Sequence, residues 1–224
     1  MPTSASPRQP PESPRRRGRP PGTGGAGLLA IAREQFVSHG FRGATMDAIA
    51  ARAKISKQTL YGSYPSKDEL YSAVVRDWVD QGYDAMRPHT LALLDAARIR
   101  DGLHRLATVL QAAVLSPPVL QMRTLVAAEA DAFPDVAADY VTRSWDRNLG
   151  MLAETLSTLA SRRQLAISDP EAAAEQFVWL VLGAPLNRLS LQGTAHGYSA
   201  ARLQAIADEA VVTFMSRYEP AGGP

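Results

Sequence analysis

The chain has 224 residues, 46% of them hydrophobic, with 24 basic against 22 acidic residues, four histidines and no cysteine. That length and composition allow one large domain or a small and a medium one, and the missing cysteines exclude a disulfide framework and a thiolate metal site. The N-terminus carries no apolar leader, and the most apolar run, residues 177–186, is about half a membrane span, so a cytoplasmic protein with no membrane partner is expected. Charge is uneven along the chain. Residues 1–80 carry a net +5 and residues 81–224 a net −3, which suits contact with nucleic acid at one end only.

Residues 1–25 are rich in Pro, Gly, Ser and Thr and show no apolar periodicity, so they read as a disordered basic arm. Within the arm lies Arg15-Arg16-Arg17-Gly18-Arg19-Pro20. Arg17 and Arg19 in Arg-Gly-Arg-Pro resemble the core of an AT-hook, an extended arginine pair in a narrow A·T minor groove. A tail that binds phosphates without sequence preference is the other reading.

Apolar spacing predicts a first helix over 28–39, ended by Gly40-Phe41 with Phe41 plugging a small core. A second follows over 46–53, capped by Thr45, with Met46, Ile49, Ala50 and Ala53 on one face. After a turn at Lys54-Ile55, Ser56 caps a third helix over 57–62. Only Leu60 of that helix points inward, leaving Lys57, Gln58, Thr59 and Tyr61 outside. A cation, an amide, a hydroxyl and a phenol on one exposed helix suit the DNA major groove. An ordinary helical hairpin with a solvated face is the bland alternative. Ser66 and Lys67 open the next helix, where backbone N–H groups and a cation can hold phosphate. The three lysines of the chain, Lys54, Lys57 and Lys67, all fall in this window.

The same residues carry a resemblance. GFRGATMDAIAARAKISKQTLYGSYPSKDELY, residues 40–71, resembles the DNA-binding region of TetR-type transcriptional regulators. The shared pattern is a Gly-aromatic loop, Thr before the second helix, Ile-Ala within it, Ser-Lys-x-Thr-Leu-Tyr, an aromatic, and Ser-Lys-Asp. Lys54 and Ile55 stand where Gly and Val are commoner, and Tyr64 where Phe is usual. The resemblance implies DNA contacts from Arg42, Thr45, Lys57, Gln58, Thr59, Tyr61, Tyr64 and Lys67, with Thr45 serving equally as a helix cap.

From Lys67 a fourth helix is expected to run to about residue 86, broken or bent at Pro88. Beyond it the chain reads as helical throughout: 89–97, 101–115, 117–131 after Ser116-Pro117, 134–163, 171–189 after Asp169-Pro170, and 199–217. Residues 125–141 and 168–183 are similar to the AefR-like C-terminal domain of one TetR subgroup.

The expected architecture is all-α. The basic arm (1–25) precedes a three-helix helix-turn-helix domain (26–72), a helical regulatory and dimerisation domain (73–218) and a flexible tail (219–224). Residues 171–189 are apolar nearly all round, so one face can meet the core and another a partner. The resemblance implies a two-fold homodimer closed by the last two helices, with Phe177, Leu180, Ala184, Ala207, Val211 and Phe214 as interface candidates. It also implies a pocket for an unknown small-molecule effector, for which Met86, His104, Met122, Arg123, Tyr140, Trp145 and Leu149 are candidates. Plain helical core is the alternative at each of these positions.

No catalytic residue, metal site or cofactor is expected. The histidines lack ligand spacing, and the glycines at 22–27 follow no strand. The sequence therefore predicts a DNA-binding regulator, in particular a ligand-responsive repressor that binds double-stranded DNA at an inverted repeat. A non-specific architectural DNA-binding protein is the first alternative, and a helical enzyme or lipid carrier the second.

Overall fold

Three hydroxyl residues start the N-terminal helices by accepting the backbone N–H three positions on. Thr45 Oγ1 accepts from Ala48 N at 3.2 Å, Ser56 Oγ from Thr59 N at 3.0 Å and Ser66 Oγ from Glu69 N at 3.1 Å, each satisfying an orphan donor of a first turn. The structure, a computed structural model, describes residues 25–192 and 197–220. Among these the chain is all-α, without a strand.

Helix α1 (Gly25–Gly43) packs on α4 (Lys67–Leu91), with α2 (Met46–Arg52) and α3 (Lys57–Ser63) beside it. Gly40 interrupts α1 at φ +69, a left-handed conformation open to glycine at little cost. The first helical run thus stops at Gly40 as expected, and one further short turn carries Phe41 back over the core. Phe41 lies 5.2 Å from the ring of Tyr71 and 4.6 Å from that of Phe133, and Phe36 completes the cluster. Burial, and secondarily the charge of Glu129, push the Tyr71 phenol up to about 12. It therefore stays neutral and belongs to the core.

Helix α4 has 25 residues, or about 37 Å at 1.5 Å per residue. It runs through Pro88 to Leu91 rather than breaking there, because a proline in a last turn costs one backbone bond near an end that frays anyway. A 3₁₀ turn (Ala92–Asp95) leads to α5 (Ile99–Val114) and α6 (Pro117–Ala128). The single helix expected over 134–163 is three consecutive segments: α7 (Pro134–Tyr140), a π-helical stretch (Val141–Asp146) and α8 (Arg147–Ser161). Helices α9 (Pro170–Gln192) and α10 (Ala200–Tyr218) close the fold, α9 against α8 and α10 against α5 and α9. No helix among the described residues is long and apolar enough to cross a membrane.

Two apolar cores result. The C-terminal one is built from α5, α8, α9 and α10 around Leu103, Leu156, Phe177 and Phe214. The N-terminal one holds Phe36, Ile49, Leu60 and Tyr71, and it also takes Met122, Leu125 and Val126 from α6. The N-terminal helices therefore share their core with a helix some fifty residues downstream of α4's start.

Pro185 lies inside α9 and has no N–H to give the Val181 carbonyl. The buried Gln111 side chain reaches that carbonyl at 3.4 Å and the Leu203 carbonyl of α10 at 3.0 Å, tying three helices together. Gln111→Leu is expected to cost about 1–3 kcal/mol, the penalty for leaving the buried Val181 carbonyl unpaired. Urea unfolding at fixed protein concentration should show a lower midpoint with an unchanged slope.

Candidate DNA-contacting surface and cavity

The turn between α2 and α3 depends on Lys54, whose φ is +55. There Lys54 N donates to Ala51 O and Ile55 N to Ala50 O, both at 3.1 Å. A side chain in the left-handed region costs roughly 1 kcal/mol that glycine avoids, which explains why glycine is commoner at this position. From this turn α3 projects with Leu60 fully buried and Lys57, Gln58, Thr59 and Tyr61 exposed, Tyr61 at 46%.

These groups are not all free. Lys57 Nζ pairs with Asp47 Oδ2 at 2.6 Å, and the Thr59 hydroxyl meets Ser56 Oγ at 2.7 Å. Arg42 is exposed beside the α1–α2 connection, and Tyr64 is half-buried where α3 ends. Arg17 and Arg19 lie outside the described residues.

Lys67 differs from the other basic residues. Its ammonium donates to the carbonyls of Phe41 at 2.9 Å and Ala44 at 3.1 Å and sits 4.4 Å from the centre of the Phe41 ring. It faces inward, fixing the α1–α2 connection to the start of α4, rather than outward to a phosphate as expected. Lys67→Met should therefore lower thermal stability without DNA present, by about 1–3 kcal/mol for two carbonyls left unpaired. A residue whose only task is phosphate contact would leave that stability unchanged.

In the C-terminal half a cavity of about 690 Å³ opens between α4, α5, α6, the π-helical stretch, α8 and α9. All three tryptophans of the chain, Trp78, Trp145 and Trp179, line it together with Tyr83 and Tyr140. Trp145 and Trp179 lie 5.4 Å apart, and the Trp179 ring rests where a side chain at Gly183 would stand. Of the expected effector residues, Met86, Arg123, Tyr140, Trp145 and Leu149 line the cavity.

Two expected lining residues do not. Met122 turns the other way on α6 and is fully buried in the N-terminal core. His104 bonds Asp208 across α5 and α10, with Gln204 beside it; those bonds hold the Asp208 carboxyl below its usual range. Sequence reasoning missed Trp78, Tyr83, His89 and Trp179. Their spacing along α4 and α9 matched ordinary core or surface, and only the third dimension brings them to one wall.

The expected pairing residues also divide. Phe177, Ala207, Val211 and Phe214 are buried inside this protomer, where Phe177 and Phe214 meet edge to face at 5.2 Å. They are core and not available to a partner. Leu180 and Ala184 face outward, and Leu191, 79% exposed, and Val212, 50% exposed, join them from positions not anticipated.

Residues 28–74 match the family profile of bacterial regulatory proteins of the tetR family, and residues 101–220 match that of the AefR-like transcriptional repressor C-terminal domain. A TetR-family protein of known structure from Mesorhizobium loti superposes with a TM-score of 0.83 at 30% identity, over 86% of this chain and 95% of that one. The flavonoid-responsive regulator FrrA shares the fold at 22% identity, with a TM-score of 0.69 over 87% and 96% of the two chains. The HTH-type transcriptional activator FasR of Mycolicibacterium smegmatis is 47% identical over 60 residues, 27% of each chain. The HTH-type transcriptional repressor SCO4008 of Streptomyces coelicolor is 32% identical over 31% of this chain. The matches span 27% and 46% of the length of those two relatives.

Proposed function

Because the chain belongs to the TetR family of bacterial transcriptional regulators, with an AefR-like C-terminal domain, we propose that it is a homodimeric repressor that leaves its operator when a small molecule fills the cavity. Members of this family are regulators and not enzymes. The arm (1–25) and the helix-turn-helix domain (26–72) hold double-stranded DNA in the cytoplasm, and residues 73–218 sense and pair. Lys57, Gln58, Thr59 and Tyr61 read base edges. Arg42, Thr45 and Tyr64 hold the backbone, with Arg17 and Arg19 adding salt-dependent affinity. Two protomers joined through the outward face of Leu180, Ala184, Leu191 and Val212 present two α3 helices to half-sites one or more helical turns apart, hence an inverted repeat.

One observation carries this reading: the cavity wall and the N-terminal core are made by the same helices. On α6, Val119 and Arg123 line the cavity while Met122, Leu125 and Val126 pack in the N-terminal core. On α4, Trp78, Val79 and Tyr83 line the cavity, and Leu70, Tyr71, Val74 and Val75 fill that core one to two turns earlier. The π-helical stretch supplies Val141, Ser144 and Trp145 to the wall. It is bound to α4 through Arg143 and Asp80 at 2.7 Å, with Arg147 and Asp80 at 3.2 Å and Arg76 and Asp139 at 2.6 Å on either side. A molecule that displaces this wall displaces α4 and α6, and with them the spacing of the two α3 helices. It shifts DNA binding by its differential affinity for the two spacings and no further.

Footprinting across the DNA flanking its own gene tests the proposal. One protected inverted repeat, lost on adding a cavity ligand, is expected. Uniform coverage of any DNA would make the chain an architectural binder instead.

A further inference from the structure

The cavity wall is one-sided in charge. Among the described residues no aspartate or glutamate lines it, and its basic side chains are Arg123 and His89. Among the described residues no ion pair or hydrogen bond engages the Arg123 guanidinium, and Arg123 is exposed, which places it at the cavity's rim. It stands close enough to Tyr140 to oppose the upward push that burial gives that phenol. Behind this rim the wall is aromatic: Trp78, Trp145 and Trp179 line it, with Trp145 packed on Trp179 and the Arg33 guanidinium 4.4 Å over the Trp78 ring, and no acidic residue is among the described lining residues. A cation entering the tryptophan faces would gain there but would meet Arg123 with no counter-charge. A neutral hydrocarbon would leave the guanidinium unused. An acid on a flat ring system satisfies both halves of the site, because rings stack on the indoles and a carboxylate takes the planar fork of an arginine.

From this juxtaposition we infer that the cavity selects an aromatic monoanion: a multi-ring body among the tryptophans and a carboxylate at Arg123 and the Tyr140 hydroxyl. The volume suits a drug-sized molecule of several rings. The inference deepens, and rests on, the reading of this cavity as the effector site.

Since every tryptophan of the chain lines the cavity, quenching of intrinsic emission by energy transfer to a pyrene reports occupancy directly. The purified full-length protein is titrated with 4-(1-pyrenyl)butanoate, its uncharged amide and the matching butylammonium, with dodecanoate as a competitor. The acid should bind about tenfold tighter than the amide, the gain of one charge-assisted hydrogen-bonded pair, and the ammonium weakest. Arg123→Gln, at an exposed position, should remove that preference by weakening the acid about tenfold more than the amide. Equal binding of amide and acid, tighter binding of the ammonium, or a preference that survives Arg123→Gln overturns the inference. Dodecanoate that displaces the pyrenyl acid at equal concentration overturns its aromatic half. The same titration repeated with bound operator separates the two levels: an acid-selective cavity whose filling leaves DNA affinity unchanged keeps the ligand class and removes the effector role.

Discussion

Replacing Lys57 and Tyr61 together by alanine is expected to weaken binding to the footprinted operator on the order of 100-fold or more, at about 1–3 kcal/mol per base-edge contact. Both side chains project from α3, whose inward contact is Leu60, so their removal takes nothing from the core. Lys57 must first leave Asp47, its partner at 2.6 Å. That step is cheap, because an ion pair with both side chains more than half exposed is worth about 0–1 kcal/mol. Thermal stability and sedimentation should therefore match the parent. Fluorescence anisotropy on the operator and on a scrambled duplex makes the measurement. Specific binding should fall to the level of the scrambled duplex, while the non-specific affinity drops only slightly. Unchanged operator affinity in a folded variant would remove α3 as the reading helix.

The second large effect concerns communication rather than contact. Asp80 on α4 is shared by Arg143 and Arg147, and Asp139 at the end of α7 holds Arg76 of α4. Arg147 also lies 3.5 Å over the ring of Tyr83, a residue of the cavity wall. All these ion pairs are partly exposed, so their contribution to stability is small. In the proposed mechanism they make α4 follow the π-helical stretch, a type of distortion often found at functional sites. The double variant Asp80→Asn, Asp139→Asn should still bind both the pyrenyl acid and the operator. The factor by which the acid weakens operator binding should collapse from the range of about 5–150-fold typical of coupled sites toward unity. A variant that keeps the full factor would show that α6 alone carries the signal.

Residues 40–71 were legible in the sequence because their structure is local. Hydroxyl caps, one apolar position per turn and a two-residue connection fix α2 and α3 through contacts a few residues apart, so Thr45, Ser56 and Ser66 announce the helices they cap. Even Lys54, the departure from the commoner glycine, marks the one left-handed residue of the turn. The all-α class and the order of helices followed from apolar periodicity in the same way.

Direction in space did not follow. Periodicity shows that a helix face is covered but not by what. Lys67 thus turns onto the Phe41 and Ala44 carbonyls, which only the fold of α1 brings near. Met122 and Arg123 are neighbours in sequence, yet a step of about 100° around α6 sends one to the N-terminal core and the other to the cavity rim. Helix α9 is apolar nearly all round, so nothing local separates Phe177, covered by α10 of its own protomer, from Leu180, which faces outward. The tryptophan wall assembles residues 78, 145 and 179 from three distant stretches of chain. Short-range chemistry sufficed to define the DNA-contacting motif and the helical class. The cavity, the arginine at its rim and the ion pairs that join its wall to α4 depended on long-range packing.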